Sequence, residues 1–272
     1  MNKLFASIIT IGDELLIGQV IDTNSAFIAQ QLNKIGVPVK QRLAVGDVWD
    51  DIWNALDEVS KHADIILITG GLGPTKDDIT KYTLCKYFNT KLVRDEETLN
   101  KIQTYFSQRN RPMLESNERQ ADLPEDCTIL PNKLGTAAGM WFEKDGKIFV
   151  SMPGVPFEMK GMMDEYVIPE LLKKFEITPI EHRTLLTAGI GESFLAELLT
   201  NFEASLSYGI KLAYLPNYGM VRLRLSTTQA LDNNSVLDKY FNELKEIVKD
   251  FLVIDKDISL QEAISEKLKY SH

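Results

Sequence analysis

The chain is poor in the residues that usually build metal centres and covalent frameworks. Its 272 residues hold two cysteines, Cys85 and Cys127, and three histidines, His62, His182 and His272. The cysteines lack metal-type spacing and have no neighbouring histidine, so two reduced thiols in a cytoplasmic protein are expected rather than a disulfide scaffold or a zinc site. The scattered histidines leave no basis for a histidine metal site or a catalytic triad. No apolar run approaches the ~20 residues that a membrane helix needs, so no membrane partner is expected. Basic residues are in deficit too. Thirty Lys and Arg stand against 39 Asp and Glu, for a formal net charge of -9 and a pI near 5.0. A protein that coats nucleic acid needs a basic face, and this balance argues against one. It leaves room for a nucleotide held by backbone donors. The apolar start from Leu4 to Ile11 is no signal peptide, because Gly12-Asp13-Glu14 interrupts it and no small-residue cleavage site follows.

What is present is a regular alternation. Leu4 to Ile11, Val37 to Ala44 and Ile65 to Thr69 read as strands. Asn24 to Ile35, stopped by Gly36, and Trp49 to His62 read as helices between them. Strands alternating with helices imply parallel pairing through right-handed crossovers, and such sheets bind ligands at their strands' carboxyl ends. Thr98 to Arg109 is a further helix; Thr128 to Pro131 and Lys147 to Val150 are further strands. After about Lys174 the pattern changes. A strand at Arg183 to Ala188, a helix after Gly191-Glu192-Ser193, a hairpin around Asn217-Tyr218-Gly219 and a helix at Val236 to Phe251 make a small α+β unit. Leu223 and Leu225 alternate with Arg222 and Arg224, which suits one buried and one wet sheet face. Leu260, Ile264 and Leu268 suggest one more helix.

The most informative segment runs from Thr69 through Gly70, Gly71, Leu72, Gly73, Pro74 and Thr75 to Lys76, Asp77 and Asp78. A strand precedes it and a helix follows, so free backbone N–H groups and a positive helix end face one place, which suits a phosphate. Asp77 and Asp78 would repel an anion unless a divalent cation bridges them to it or one of them positions a nucleophile. Acids also favour helix N-termini, and Thr75 and Thr80 suit either a cap or a phosphate contact. Gly12-Asp13-Glu14 and Gly46-Asp47 end two other strands of the same sheet and converge with the glycine turn. Ser151 to Lys160 holds a second strand, turn and helix start at Pro153-Gly154-Val155-Pro156. Asn24 is expected to cap its helix. Lys76 and Lys160 are candidate phosphate partners, the small residues from Thr136 to Gly139 a place where a ligand nears the backbone, and Trp49, Trp53 and Trp141 core residues.

These segments resemble the N-terminal part of the competence/damage-inducible CinA family. The resemblance rests on Ile11 through Gly18, Thr23-Asn24, Val45-Gly46-Asp47, Thr69 through Thr80, Arg111-Pro112-Met113, Ser116-Asn117, Pro131-Asn132, Gly135-Thr136-Ala137, and Met152 through Pro156 with Glu158-Met159. It implies an α/β fold: a three-layer molybdopterin-binding-like domain with a mostly parallel sheet over 1–172, a smaller KH-like α+β domain over 173–252, and a C-terminal tail or the start of a missing domain over 253–272. It implies catalytic Asp78 and Asp47, both as metal ligands, and Asp77 beside them is a third catalytic candidate from the residues themselves. Substrate contacts would come from Gly12, Asp13, Glu14, Asn24, Gly70, Gly71, Leu72, Gly73, Pro74, Thr75, Thr136, Pro153, Gly154, Val155, Pro156 and Glu158. Asp13 and Glu14 would position the attacking water or the ribose. The implied reaction is hydrolysis of ADP-ribose, or a related nucleotide sugar, to AMP and ribose 5-phosphate with Mg, Mn or Co and with potassium. The alternatives are molybdopterin binding with adenylyl transfer, and a non-catalytic nucleotide-binding dimerisation module. A small nucleotide substrate and a second copy of the chain are the expected partners. Full-length relatives carry a further deamidase domain; a short member or a truncated one is expected here, and deamidation is not assigned.

Overall fold

The structure is a computed structural model that describes residues 4–75, 78–177, 180–227, 235–258 and 260–269. The chain divides into two compact units, Met1–Ile177 and Thr178–His272.

In chain order the first unit comprises β1 (Ala6–Ile11), α1 (Asp13–Leu16), α2 (Thr23–Lys34), β2 (Val39–Val45), α3 (Trp49–Ser60), β3 (Ile65–Thr69), α4 (Thr80–Tyr87), β4 (Leu92–Arg94), α5 (Glu96–Ser107), α6 (Glu115–Glu118), β5 (Asp122–Pro124), β6 (Thr128–Leu130), β7 (Gly139–Lys144), β8 (Lys147–Met152), α7 (Pro156–Met162) and α8 (Ile168–Lys174). Six strands form one sheet in the order β2-β1-β3-β8-β7-β6. The first four run parallel, and β7 is antiparallel to both of its neighbours. The central strands are buried along their whole length, which is why β1 and β3 read as unbroken apolar runs.

Side-chain alternation sends Ile8, Ile65, Leu67 and Val150 to one face, where Ile28 and Leu32 of α2 and Met159 and Met162 of α7 cover them. Ile9, Ile66, Ile68 and Phe149 go to the other face, under Ile52, Leu56 and Val59 of α3 and Leu84 of α4. Burying one such Leu or Ile contributes about 1.5–3 kcal/mol. The result is three layers, helix on sheet on helix. Trp141 joins this core, but Trp49 and Trp53 are half-buried and stack on each other on α3, with centroids 6.2 Å apart. The small residues before β7 also serve packing: Ala137 and Ala138 are buried, and Gly139 already belongs to the strand.

The second unit holds β9 (His182–Ala188), α9 (Glu192–Ser205), β10 (Ile210–Asn217), β11 (Met220–Thr227), α10 (Ser235–Ile247), β12 (Leu252–Ile254) and α11 (Leu260–Lys269). Its sheet is antiparallel in the order β10-β11-β9-β12. Val221, Leu223 and Leu225 pack on Leu195, Leu199 and Phe202 of α9 and on Leu237, Phe241 and Leu244 of α10. Arg222 and Arg224 are only partly buried between them, as the alternation predicts. The three-residue strands β4, β5 and β12 are too short for any periodicity to show.

Candidate functional site

Strands β1, β2, β3 and β8 are parallel and in register, so Ile11 stands beside Val45, Thr10 beside Thr69 and Thr69 beside Met152. The segments after them therefore gather at one sheet edge: Gly12 to Glu14, Gly46-Asp47, Gly70 to Thr75, and Pro153 to Pro156.

The glycine turn is built by crowding. Gly70 has φ +114°, and a Cβ there would lie 2.1 Å from the Ile11 carbonyl oxygen. Gly71 has φ +63°, and a Cβ there would lie 2.0 Å from Thr80 Oγ1 and 3.4 Å from Asp47 Oδ1. No other residue fits either position. Four amide donors are expected from this turn, but the structure leaves fewer. Gly70 N donates to Met152 O at 3.1 Å, and Gly73 N donates to Asp78 Oδ1 at 2.7 Å. The amides of Gly71 and Leu72 carry no hydrogen bond among the described residues. The Leu72 side chain is buried against the core under α3 and α4 and anchors the turn.

Asp78 has a role beyond the expected one. Its Oδ2 accepts from Thr75 N at 2.8 Å, and the Thr75 hydroxyl donates to the same oxygen. The carboxylate thus closes the turn on itself. Neither Thr75 nor Thr80 caps the helix; α4 starts after Ile79 without a side-chain cap. Among the described residues nothing accepts from the first amides of α4, those of Thr80, Lys81 and Tyr82. Thr80 Oγ1 is buried and without a partner.

Beside the turn, Asp13 and Asp47 lock two loops reciprocally. Asp13 N donates to Asp47 Oδ2 and Asp47 N to Asp13 Oδ1, both at 3.2 Å. Asp47 Oδ1 accepts no bond among the described residues. Burial raises the pKa of Asp47 above the ordinary aspartate range, and the negative charges of Asp13, Glu14 and Asp78 raise it further, against the Asp13 amide. Three acidic side chains are therefore close enough to oppose the ionisation of Asp47.

Asn24 does not cap α2. Asp22 does, accepting from Ser25 N at 2.9 Å, and Thr10 of β1 holds Asp22 through its hydroxyl at 3.1 Å. That frees Asn24 to reach the other strand ends. Its Nδ2 donates to Thr69 Oγ1 at 3.1 Å and to Gly154 O at 2.7 Å, while its Oδ1 is buried without a partner. Thr69 in turn donates to Pro153 O at 2.8 Å. Sequence reasoning did not single out Asp22, whose place before Thr23-Asn24-Ser25 was the available signal, nor the bridging side chain of Thr69.

The remaining expected residues make other contacts. Glu158 accepts from Asn132 Nδ2 at 2.6 Å, and Asn132 also binds Ala137 O, so this pair shapes the loop before β7. Burial raises the pKa of Glu158. Thr136 lines a cavity of about 630 Å³ together with Tyr105, Arg109 and Tyr166. No hydrogen bond joins Glu158 or Thr136 to the glycine turn among the described residues. Val155 is the N-cap residue of α7 and Pro156 its first residue. Lys160 lies over the Phe27 ring at 5.1 Å. Lys76 and Asp77 lie outside the described residues. Among the described residues no three His, Cys, Asp or Glu side chains form a preset metal cluster.

Two clefts flank the turn. One, of about 100 Å³, is lined by Glu14, Asn24, Thr69 and Gly154. The other, of about 300 Å³, is lined by Gly73, Thr75, Asp78, Lys81 and Gln120.

The chain as a whole is similar to known proteins. The family described as the damage-inducible protein CinA KH domain matches residues 182–253, and that described as a probable molybdopterin binding domain matches residues 7–173. The chain belongs to the CinA family. It is 45% identical over 271 residues to a CinA-like protein of Flavobacterium psychrophilum, covering 97% of this chain and 64% of that one. It is 38% identical over 267 residues to a putative competence-damage inducible protein of Caldicellulosiruptor saccharolyticus, again covering 97% and 64%. The chain thus spans less than two thirds of the length of these curated relatives. The crystal structure of the CinA protein of unknown function from Thermoplasma acidophilum is similar with a TM-score of 0.56 and 33% identity, over 62% of this chain and 99% of that one. For this CinA-family chain no helix among the described residues is long and apolar enough to cross a membrane.

Proposed function

We propose that this CinA-family chain hydrolyses the pyrophosphate bond of ADP-ribose or a related nucleotide sugar, releasing AMP and ribose 5-phosphate from ADP-ribose. The observation that carries the reading is the pair of amides at Gly71 and Leu72 that, among the described residues, carry no hydrogen bond, set beside a Thr80 hydroxyl and an Asp47 Oδ1 that likewise have no partner there. Donors without partners at a strand-turn-helix junction suit phosphate oxygens. Free carboxylate oxygen at the same place suits a hard cation, and a cation would relieve both the burial of Asp47, which chiefly raises its pKa, and the repulsion from Asp13, Glu14 and Asp78. Magnesium and its analogues need only one or two carboxylates together with substrate oxygens, so a cluster of three is not required.

In this reading Asp47 would hold the cation through its unbonded Oδ1, and Asp13 holds Asp47 by its amide. Asp78 keeps the turn closed and has lone pairs left for a shared metal contact. When bound, a divalent ion neutralises phosphate charge and acidifies water. Water would add to one phosphorus and the bridging P–O bond would break towards the other phosphate, with Glu14, which lines the small cleft beside the turn, as the candidate acceptor of the water's proton. A homodimer is proposed alongside, and light scattering of the purified chain checks it.

The test is product analysis. With Mg, Mn or Co the parent should convert ADP-ribose to AMP and ribose 5-phosphate, and Asp47→Ala should lose about two orders of magnitude in kcat. An Asp47→Ala protein turning over at the parent rate removes the assignment. The match to a probable molybdopterin binding domain favours a second reading, adenylyl transfer to molybdopterin. Adenylated pterin formed from ATP and molybdopterin, with ADP-ribose left intact, would select it.

A further inference from the structure

The larger of the two clefts beside the glycine turn holds chemistry that the diphosphate reading does not use. Lys81 sits on the first turn of α4, and its Nζ donates to Arg119 O at 2.7 Å. An ammonium group has three protons, so two remain for other acceptors. Burial lowers the pKa of Lys81 to about 8. A lysine desolvated this far gains from any acceptor that enters the cleft.

Gln120 stands with Lys81 in the cleft wall. It is only 5% exposed, its Oε1 is buried without a partner, and its side-chain amide makes no hydrogen bond among the described residues. An unpaired buried amide of this kind costs stability unless something else completes it. Ser116 and Arg119 line the same 300 Å³ space, with the Arg119 guanidinium paired to Glu115 at 3.1 Å, and Asp78 and Thr75 join it to the turn. The lining mixes donors and acceptors, as vicinal hydroxyls require, because each hydroxyl both donates and accepts.

We infer that this cleft is a polyol subsite that takes the terminal sugar of a nucleoside diphosphate sugar, with Gln120 and Lys81 bonding its hydroxyls. The sugar is thereby placed against α4 and α6 rather than beside Asp13 and Glu14. The inference rests on the pyrophosphatase reading for the position of the diphosphate. Its chemistry depends only on the cleft.

Calorimetry of ADP-ribose and of ADP, which lacks the second sugar, tests it in the full chain. Gln120→Leu and Lys81→Met are compared with the parent, with circular dichroism checking that each is folded. Loss of buried hydrogen bonds should weaken ADP-ribose binding about tenfold in each variant and leave ADP within about twofold. Equal losses for both ligands, or no loss for either, overturn the subsite. If Gln120→Leu does not fold, Lys81→Met alone decides by the same criterion. Turnover of ADP-ribose measured in parallel separates the two claims. Unselective variants in a chain that hydrolyses ADP-ribose overturn the subsite alone. Selective variants in a chain that hydrolyses nothing overturn the hydrolase reading alone.

Discussion

Two glycine turns of this chain look alike in sequence and differ in physics. The turn after β3 contains Gly70 and Gly71; the hairpin between β10 and β11 contains Gly219. All three have positive φ. A Cβ at Gly70 or Gly71 would run into Ile11 O or Thr80 Oγ1, whereas one at Gly219 would meet nothing within 4 Å. The hairpin turn is a connection, and the neighbouring Tyr218 is 97% exposed. The first turn is pressed against three other strand ends and still leaves amides unbonded. Crowding with unspent donors marks a site, while open space with positive φ marks only a bend.

Four experiments break or sharpen that contrast. The largest effect is expected from Asp78→Ala. It removes the acceptor for Gly73 N, Thr75 N and the Thr75 hydroxyl, so the turn should loosen and ADP-ribose turnover should fall by about two orders of magnitude or more. Retained turnover would mean that the shape of the turn does not matter. Next, Gly70→Ala should cost about 3 kcal/mol or more in urea unfolding, because strain at positive φ adds to a clash with backbone that cannot move aside. Gly219→Ala, at φ +69° and in open space, should cost only about 1 kcal/mol. Equal costs for the two glycines would dissolve the distinction.

The smallest effect concerns Asp47→Asn, which keeps an acceptor for Asp13 N and removes one charge from the acidic edge. The folded pKa of Asp47 is raised, so its contribution to stability is present below the unfolded value and is lost as pH rises through the folded one. The variant should therefore melt slightly above the parent at pH 7. The difference should fade as pH falls below the ordinary aspartate range. A lower melting point at neutral pH would show that the charge cluster does not strain the fold.

Much of the first unit could be read from its residues. The apolar runs of β1 and β3, the spacing of Ile52, Leu56 and Val59, and the glycine turn each carry a local signal that burial in a parallel sheet preserves. The alternation of Leu223 and Leu225 with Arg222 and Arg224 did the same for the second unit. Asn24 shows where local reasoning failed. A cap is the commoner role for an asparagine at a helix start, but Asp22 takes it because Thr10 of a neighbouring strand fixes the aspartate there. Lys81 and Gln120 gave no sequence signal, since most lysines and glutamines lie on the surface. Glu158 and Thr136 entered the expected site through the family resemblance, and among the described residues no hydrogen bond joins either of them to the glycine turn.

Sequence alone set the strand-turn-helix order, the acidic strand ends and the family, because periodicity, turn chemistry and motif spacing are properties of neighbours along the chain. Tertiary structure decided which amides stay unbonded, which carboxylate closes the turn and which buried groups line a cleft. Those outcomes depend on partners such as Met152, Asp13 and Arg119 that are distant in sequence, and only packing brings them within hydrogen-bonding range.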